Sequence, residues 1–263
     1  MIMDHRIIPM TKRFLPPSED SGVTVSVVVP AHNESGNIGA LIDEIGLAME
    51  GRLFEIIIVD DGSTDQTVKE AMACVSHLPV RVVSHEKSCG QSAAIRTGVE
   101  MARGQFIATL DGDGQNNPAD IPDVLAALET NPQGGRVAMA AGQRVGRRDT
   151  AIKKWSSWAA NSLRRRLLGD GARDTGCGLK VFWRDAFRAL PYFDHMHRYL
   201  PALMIREGFV VIYVDVTHRP RGHGRSKYGT IDRLLVSIFD LAGVVWLLSR
   251  RRGTIGITEH SGS

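Results

Sequence analysis

Phe106–Gln115 reads FIATLDGDGQ, an apolar run that stops at two aspartates, Asp111 and Asp113, with one glycine between them and another after. A short β-prone run bounded by glycine predicts a buried strand closed by a tight turn. Such a turn holds two carboxylates close together at the strand's carboxyl edge. Neighbouring anions raise each other's pKa unless a cation lies between them, and a hard divalent ion takes oxygen ligands of this kind. A lone D-x-D can equally be a polar turn, so its weight depends on the rest of the chain.

A second acidic pair follows another apolar run. Phe54–Val59 (FEIIIV) leads straight into Asp60, Asp61, Gly62 and Ser63. Ser63 or Asp65 can cap a helix starting near Gln66. Turn and cap chemistry accounts for those two residues and leaves Asp60, at the strand's end, without such a duty. The first apolar run, Val23–Val29, ends in Pro30, Ala31, His32, Asn33 and Glu34, a polar cluster ahead of the next helix.

The alternation is regular. Strands are predicted near 23–29, 54–59, 80–84, 106–110 and 137–141, with helices near 38–49, 65–75, 92–102 and 119–129. This pattern predicts an α/β fold: an open, mostly parallel sheet with helices on both faces. Ligands bind such sheets outside the carboxyl ends of the strands. Asn33/Glu34, Asp60/Asp61 and Asp111/Asp113 all fall on that edge. No G-x-G-x-x-G follows the first strand, which excludes a dinucleotide fingerprint, and there is no P-loop. The loop after Asp111 starts like an EF-hand, but Asn116 stands at the glycine position and Pro122 at the glutamate position.

With 263 residues, 43% of them apolar, the chain can bury one sizeable domain. Its net charge is only +3. Yet between Arg144 and Arg188 twelve Lys/Arg face four acids, a local surplus of eight. A nucleic-acid partner is not expected, because no recognition motif or aromatic stacking pattern accompanies the charge. Anionic lipid headgroups or a phosphorylated lipid fit better, since Ile231–Leu248 forms a wide apolar helical face with Asp232, Arg233, Ser237 and Asp240 towards the other side. That stretch is too interrupted by charge to span a bilayer. It reads as a core or subunit-packing helix or as an interfacial one, finished by Arg250–Arg252. The domain reading is a leader over 1–22 lacking a signal peptide's apolar region, a catalytic domain over 23–229, an amphipathic helix over 230–250 and a disordered tail over 251–263. Three cysteines at unrelated spacings suggest a reducing compartment and neither disulfides nor zinc.

The segments VSVVVPAHNESGNI, EIIIVDDGSTDQT and GQSAAIRTGVEMARGQFIATLDGDGQNNP, in this order, resemble the family 2 glycosyltransferases of the GT-A fold. DTGCGLKVFWRDAF, HRYLPALMIREGF and HRPRGHGRSKYG are similar to the second half of the subgroup that makes polyprenyl- and dolichyl-phosphate sugars. The resemblance implies inverting transfer of a sugar from a UDP- or GDP-sugar to polyprenyl phosphate, serving cell-envelope glycan or lipid modification. Another acceptor or a non-catalytic nucleotide-sugar binder are the alternatives. It implies a nucleotide site at Pro30, Ala31, Asn33, Glu34, Asp60, Asp61, Gly90 and Asp111. Mg²⁺ or Mn²⁺ would sit on Asp111, Asp113 and Gln115. Arg144, Arg147, Arg148, Arg219 and Ser226 would hold the acceptor phosphate, while Asp113, Arg221 and Lys227 serve the reaction itself. An enzyme of this kind is expected on the inner face of the cytoplasmic membrane, attached peripherally, with a second copy of itself as a further candidate partner in a homo-oligomer. His32 departs from the tyrosine common among relatives. Asp174 is expected to pair with Arg173 or another basic neighbour, and His195 and His197 to be structural.

Overall fold

A computed structural model describes residues 22–130, 137–145, 164, 166–174, 176–219 and 230–250, the last segment as backbone alone over 230–237. The strands are β1 (Val25–Ala31), β2 (Phe54–Asp60), β3 (Val80–Ser84), β4 (Phe106–Thr109), β5 (Val137–Arg144), β6 (Lys180–Trp183) and β7 (Val210–Val216). The α-helices are α1 (Ile38–Ala48), α2 (Thr67–Ala73), α3 (Gln91–Met101), α4 (Ile121–Glu129), α5 (Arg184–Arg188), α6 (Leu200–Arg206) and α7 (Thr230–Ser249).

All seven strands share one sheet in the order β3-β2-β1-β4-β6-β5-β7. Strands β1 to β4 are mutually parallel, as the alternation predicts. Strand β6 runs antiparallel to both β4 and β5. The reading of the sequence missed β6 and β7. The first is only four residues long; the second, VVIYVDV, carries a β-branched run that signals a strand.

Strand β1 is buried along its whole length, which is what a central strand covered on both faces requires. Val25, Val27 and Val29 join Ile56 and Ile58 under α1 and α4, whereas Val28, Ile57 and Val59 pack with Ala94, Ile95 and Val99 of α3. Helices α1, α2 and α4 thus cover one face; α3, α5, α6 and part of α7 cover the other. The chain therefore switches direction between β1 and β4, where loops diverge and leave a crevice at the carboxyl edge.

One acid is buried far from that edge. Glu55 accepts hydrogen bonds from Ser26 Oγ (2.7 Å), Arg103 N (2.7 Å) and Arg81 Nη1 (2.8 Å). Burial alone would raise its pKa, but these donors, with the nearby Arg81 charge, hold it below the usual carboxylate range.

The C-terminal helix departs from the polarity expected of it. Val244 is buried, with Leu241 and Leu248 packed beside it against the body. Asp240, expected on a solvent side, lies with Oδ2 3.0 Å from His195 Nδ1. The outward side carries Ile238, Phe239 (76% exposed) and Trp246 (60% exposed). Among the described residues no helix is long and apolar enough to cross a membrane.

Candidate functional site

The loops after β1 and β2 are sewn together. Asn33 adopts a left-handed conformation (φ 54°), its N–H donates to Ser63 Oγ (2.8 Å) and its Oδ1 accepts from Thr64 N (2.7 Å). Glu34 N donates to Thr67 Oγ1 (2.9 Å), and Asn37 Nδ2 donates to Glu34 Oε2 (3.1 Å). Because a carbonyl can only accept, His32 Nδ1 must donate to Asp61 O (2.7 Å), which leaves Nε2 as the acceptor beside Asn33. The helix begins at Thr67, and it is Asp65 that ties its start, accepting from Thr67 N (3.0 Å). Ser63 serves Asn33 instead. Asp60 also has a turn duty that the sequence did not disclose, since its carboxylate accepts from Ser63 N (3.2 Å).

Asp61 organises the next loop. Its two oxygens accept from His85 Nδ1 (2.8 Å), Ser88 Oγ (2.8 Å), Cys89 N (2.8 Å) and Gly90 N (2.9 Å). Burial pushes this carboxyl up, but the four donors outweigh it and hold it below the ordinary range. The loop reaches so close to the turn below that a Cβ on Gly62 (φ +69°) would meet Ser88 N at 2.7 Å. Gly90, at the start of α3, is itself left-handed (φ 91°). The residues expected at the nucleotide therefore share one sheet edge: Pro30, Ala31 and Asp60 end β1 and β2, and Asn33, Glu34, Asp61 and Gly90 lie in the loops that follow β1, β2 and β3.

At the end of β4, Asp111 accepts from Gln91 Nε2 (2.7 Å) of α3. Asp113 is 8% exposed and accepts from Gln115 N (3.1 Å). Gly112 sits against the β1 loop, where a Cβ would lie 3.0 Å from Pro30 O. The acid pair thus faces the crevice at the switch point. Burial raises the Asp111 pKa first, and the Asp113 charge raises it further; Lys180 opposes both. Asp111, raised in this way, and Asp113 offer a pair of carboxylate oxygens that fits a hard divalent cation.

Two arginines expected at the acceptor phosphate are engaged by acids. Arg144, at the end of β5, grips both oxygens of Asp174 (Nε–Oδ2 2.5 Å, Nη2–Oδ1 2.9 Å), so Asp174 pairs with a basic neighbour other than Arg173. Burial would raise the Asp174 pKa, but the Arg144 hydrogen bonds and charge hold it low. Arg219 bonds both oxygens of Glu44 on α1 (3.2 and 2.6 Å), and its own N–H donates to Gln115 O (3.1 Å). Arg147, Arg148, Arg221, Ser226 and Lys227 lie outside the described residues.

Two cavity residues were not read as functional from the sequence. A cavity of about 170 Å³ opens beside Asp111 and is lined also by Gln91, Thr109, Lys180, His197 and Arg198. Lys180 is 7% exposed and pairs in register with Thr109 of β4. Burial depresses its pKa, partly countered by Cys177 and Asp111. His197 bonds Ser92 Oγ through Nδ1 (2.7 Å), and burial, with Lys180 nearby, lowers its pKa to about 3, so it stays neutral. The signal for Lys180 was its place inside an apolar run, where a charge has to find compensation.

The described geometry matches known proteins in sequence and in fold. The profile for Glycosyl transferase family 2 matches residues 26–190. Dodecaprenyl-phosphate galacturonate synthase of Rhizobium johnstonii is 37% identical over 231 residues, covering 85% of this chain and 67% of that protein. Undecaprenyl-phosphate 4-deoxy-4-formamido-L-arabinose transferase of Pseudomonas paraeruginosa is 35% identical over 223 residues, covering 82% and 63%. The chain thus spans about two thirds of the length of these relatives. Among solved structures, glucosyl-3-phosphoglycerate synthase from Mycobacterium tuberculosis, crystallised with Mn²⁺, UDP-glucose and glycerol 3-phosphate, superposes with a TM-score of 0.65 at 24% identity, covering 88% of this chain and 80% of that one. That likeness establishes the GT-A type of fold. With acid pairs closing β2 and β4 at one edge and the profile spanning most of the sheet, the chain belongs to glycosyl transferase family 2.

Proposed function

We propose that the protein is an enzyme that transfers a sugar from a nucleotide sugar to a polyprenyl phosphate. The observation that carries this reading is the Asp111/Asp113 pair facing the β1 and β2 loops across the switch-point crevice. The two curated relatives, both named for sugar transfer to a polyprenyl phosphate, support the acceptor class.

On this reading the nucleoside rests on Pro30, Ala31, Asn33, Glu34, Asp60 and the Asp61-clamped loop ending at Gly90. Asp111, Asp113 and Gln115 would hold Mg²⁺ or Mn²⁺, which when bound neutralises charge on the departing diphosphate. The acceptor needs no protein base. A phosphate monoester has its second pKa near about 6 and is largely dianionic at neutral pH. One phosphate oxygen attacks the anomeric carbon, a new C–O bond forms as the bond to the donor's β-phosphate breaks, and the nucleoside diphosphate leaves with that electron pair. In-line attack inverts the anomeric centre. The acceptor phosphate would be met by the basic groups of Arg144, Arg147, Arg148, Arg219, Arg221 and Lys227 and by the Ser226 hydroxyl, the arginines offering fork geometry for phosphate oxygens. The outward Ile238, Phe239 and Trp246 of α7 would rest against the bilayer that carries the lipid.

The test is to incubate the protein with Mn²⁺, undecaprenyl phosphate and a panel of UDP- and GDP-sugars, and to look for glycolipid by mass spectrometry. A lipid-phosphate-linked sugar is expected; nucleotide sugar that stays intact with every donor would sink the reading.

A further inference from the structure

The cavity beside Asp111 holds more positive charge than the described residues use. The ammonium of Lys180 has three donors, and the described residues give it one acceptor, the Cys177 carbonyl. No described carboxylate lies within ion-pair distance of Lys180 or of the Arg198 guanidinium, although many other arginines of the chain have such a partner. Two carboxylates add to the field on Lys180 without pairing with it: Asp111, committed on the transferase reading to the metal, and Asp174, held by Arg144. His197 is neutral and adds no anion. A buried cation with unspent donors is unfavourable unless an anionic oxygen completes it.

The size of the space restricts what that anion is attached to. About 170 Å³ is smaller than the roughly 300–1,000 Å³ of sites that enclose whole ligands. A nucleotide does not fit, but one small substituted ring or part of one does. Ile95 and Leu200 provide apolar wall for ring carbons, and Gln91 and Thr109 provide polar wall for hydroxyls. On the transferase reading, the donor's diphosphate belongs to the metal on Asp111 and Asp113. The acceptor's phosphate belongs to the basic segments, so the Lys180/Arg198 pair is surplus to both.

We propose that Lys180 and Arg198 bind a carboxylate on the transferred sugar, so that the donor is a nucleotide-linked uronic acid and these two residues determine that specificity. This inference rests on the transferase reading and names its substrate class. A planar carboxylate suits the guanidinium fork and takes up the free ammonium donors together.

The experiment measures kcat/KM with undecaprenyl phosphate and Mn²⁺ for UDP-galacturonate and UDP-glucuronate, each beside its neutral counterpart, UDP-galactose or UDP-glucose. At least one uronate should exceed its neutral counterpart by about tenfold or more. Lys180→Met should lower that ratio by about 100-fold, the scale expected when one partner of a buried charge pair is removed. UDP affinity and thermal unfolding check that the variant is folded; if it is not, Arg198→Gln carries the comparison. A neutral sugar preferred by the wild type would overturn the inference while leaving the reaction class standing. So would equal loss with both donors, which would make the anion a phosphate common to all. Silence with every donor, despite bound UDP, would remove the transferase reading and this inference together.

Discussion

Gly178 faces the Asp111 carboxylate so closely that a Cβ on it would lie 2.4 Å from Asp111 Oδ2 and 2.6 Å from Asn116 Oδ1. The segment leading into β6 therefore sets the rotamer of Asp111, the proposed metal ligand, from behind. Gly178→Ala should push Asp111 out of place. We expect stability to fall by about 1–3 kcal/mol, as overpacking usually costs, and the Mn²⁺ concentration for half-maximal activity to rise at least about tenfold. A metal titration unchanged from wild type would show that Asp111 is held by other contacts.

Asp113→Asn addresses the acid pair directly. The substitution removes the like charge that helps to raise Asp111, so the metal-free protein should unfold at the same or a slightly higher temperature. Transfer should drop by about 1,000-fold, within the range for removing a group that stabilises developing charge. Thermal melts with and without Mn²⁺ separate the two effects: the wild type gains stability on adding metal, and the variant should not.

The Asp61 clamp makes an acid-stability prediction. Its folded pKa is depressed by the donors of residues 85–90, so the stabilisation is fully present above its unfolded value of about 3.9. It is lost as pH falls through the lower folded value. Asp61→Asn should flatten that part of the stability–pH curve, weaken nucleotide binding at neutral pH and leave Glu55 and Asp174 to titrate as before. Urea unfolding midpoints measured from pH 6 to pH 2 give the comparison.

Arg219 and Arg221 can be told apart by what Arg219 already touches. Because Arg219 bonds Glu44 in bidentate fashion and anchors next to Gln115, Arg219→Ala should be coupled to Glu44→Ala by about 0.5–1 kcal/mol in a double-mutant cycle on stability. Arg221→Ala should show no such coupling and should lower kcat more than nucleotide affinity. If Arg221→Ala keeps full turnover, Arg219 becomes the acceptor contact.

The outward side of α7 predicts lipid binding. Phe239→Ser together with Trp246→Ser should reduce sedimentation with vesicles of anionic lipid severalfold while leaving the packed side, around Val244, undisturbed. Equal sedimentation of variant and wild type would place the membrane contact elsewhere.

Much of the fold was legible because its first half obeys local rules. Strands β1, β2 and β4 are apolar runs ending in polar turns, and their helices start within about two residues of the expected places. The same local character exposed Asn33, Asp60, Asp61, Asp111 and Asp113 as residues of one edge. Where contacts are distant in sequence, the reading was incomplete. Asp60 looked idle because its partner, Ser63 N, depends on the turn geometry. Asp174 has a basic partner, as expected, but the sequence left open which one, because Arg144 lies 30 residues away and meets it only once β5 extends to its full length. The polarity of α7 was inverted at Asp240, since His195 draws that carboxylate inward.

Periodicity and turn chemistry act over a few residues, so the βα alternation, the sheet edge that carries the polar turns and the pair of acids there can all be read along the chain. The tertiary structure decided how those acids are used. An antiparallel strand brings Gly178 behind Asp111 and buries Lys180 beside it, and the turn at Met196–Arg198 places a second cation at the same cavity. Burial and proximity are properties of the packed sheet, and they set which charges are compensated and which are left for a ligand.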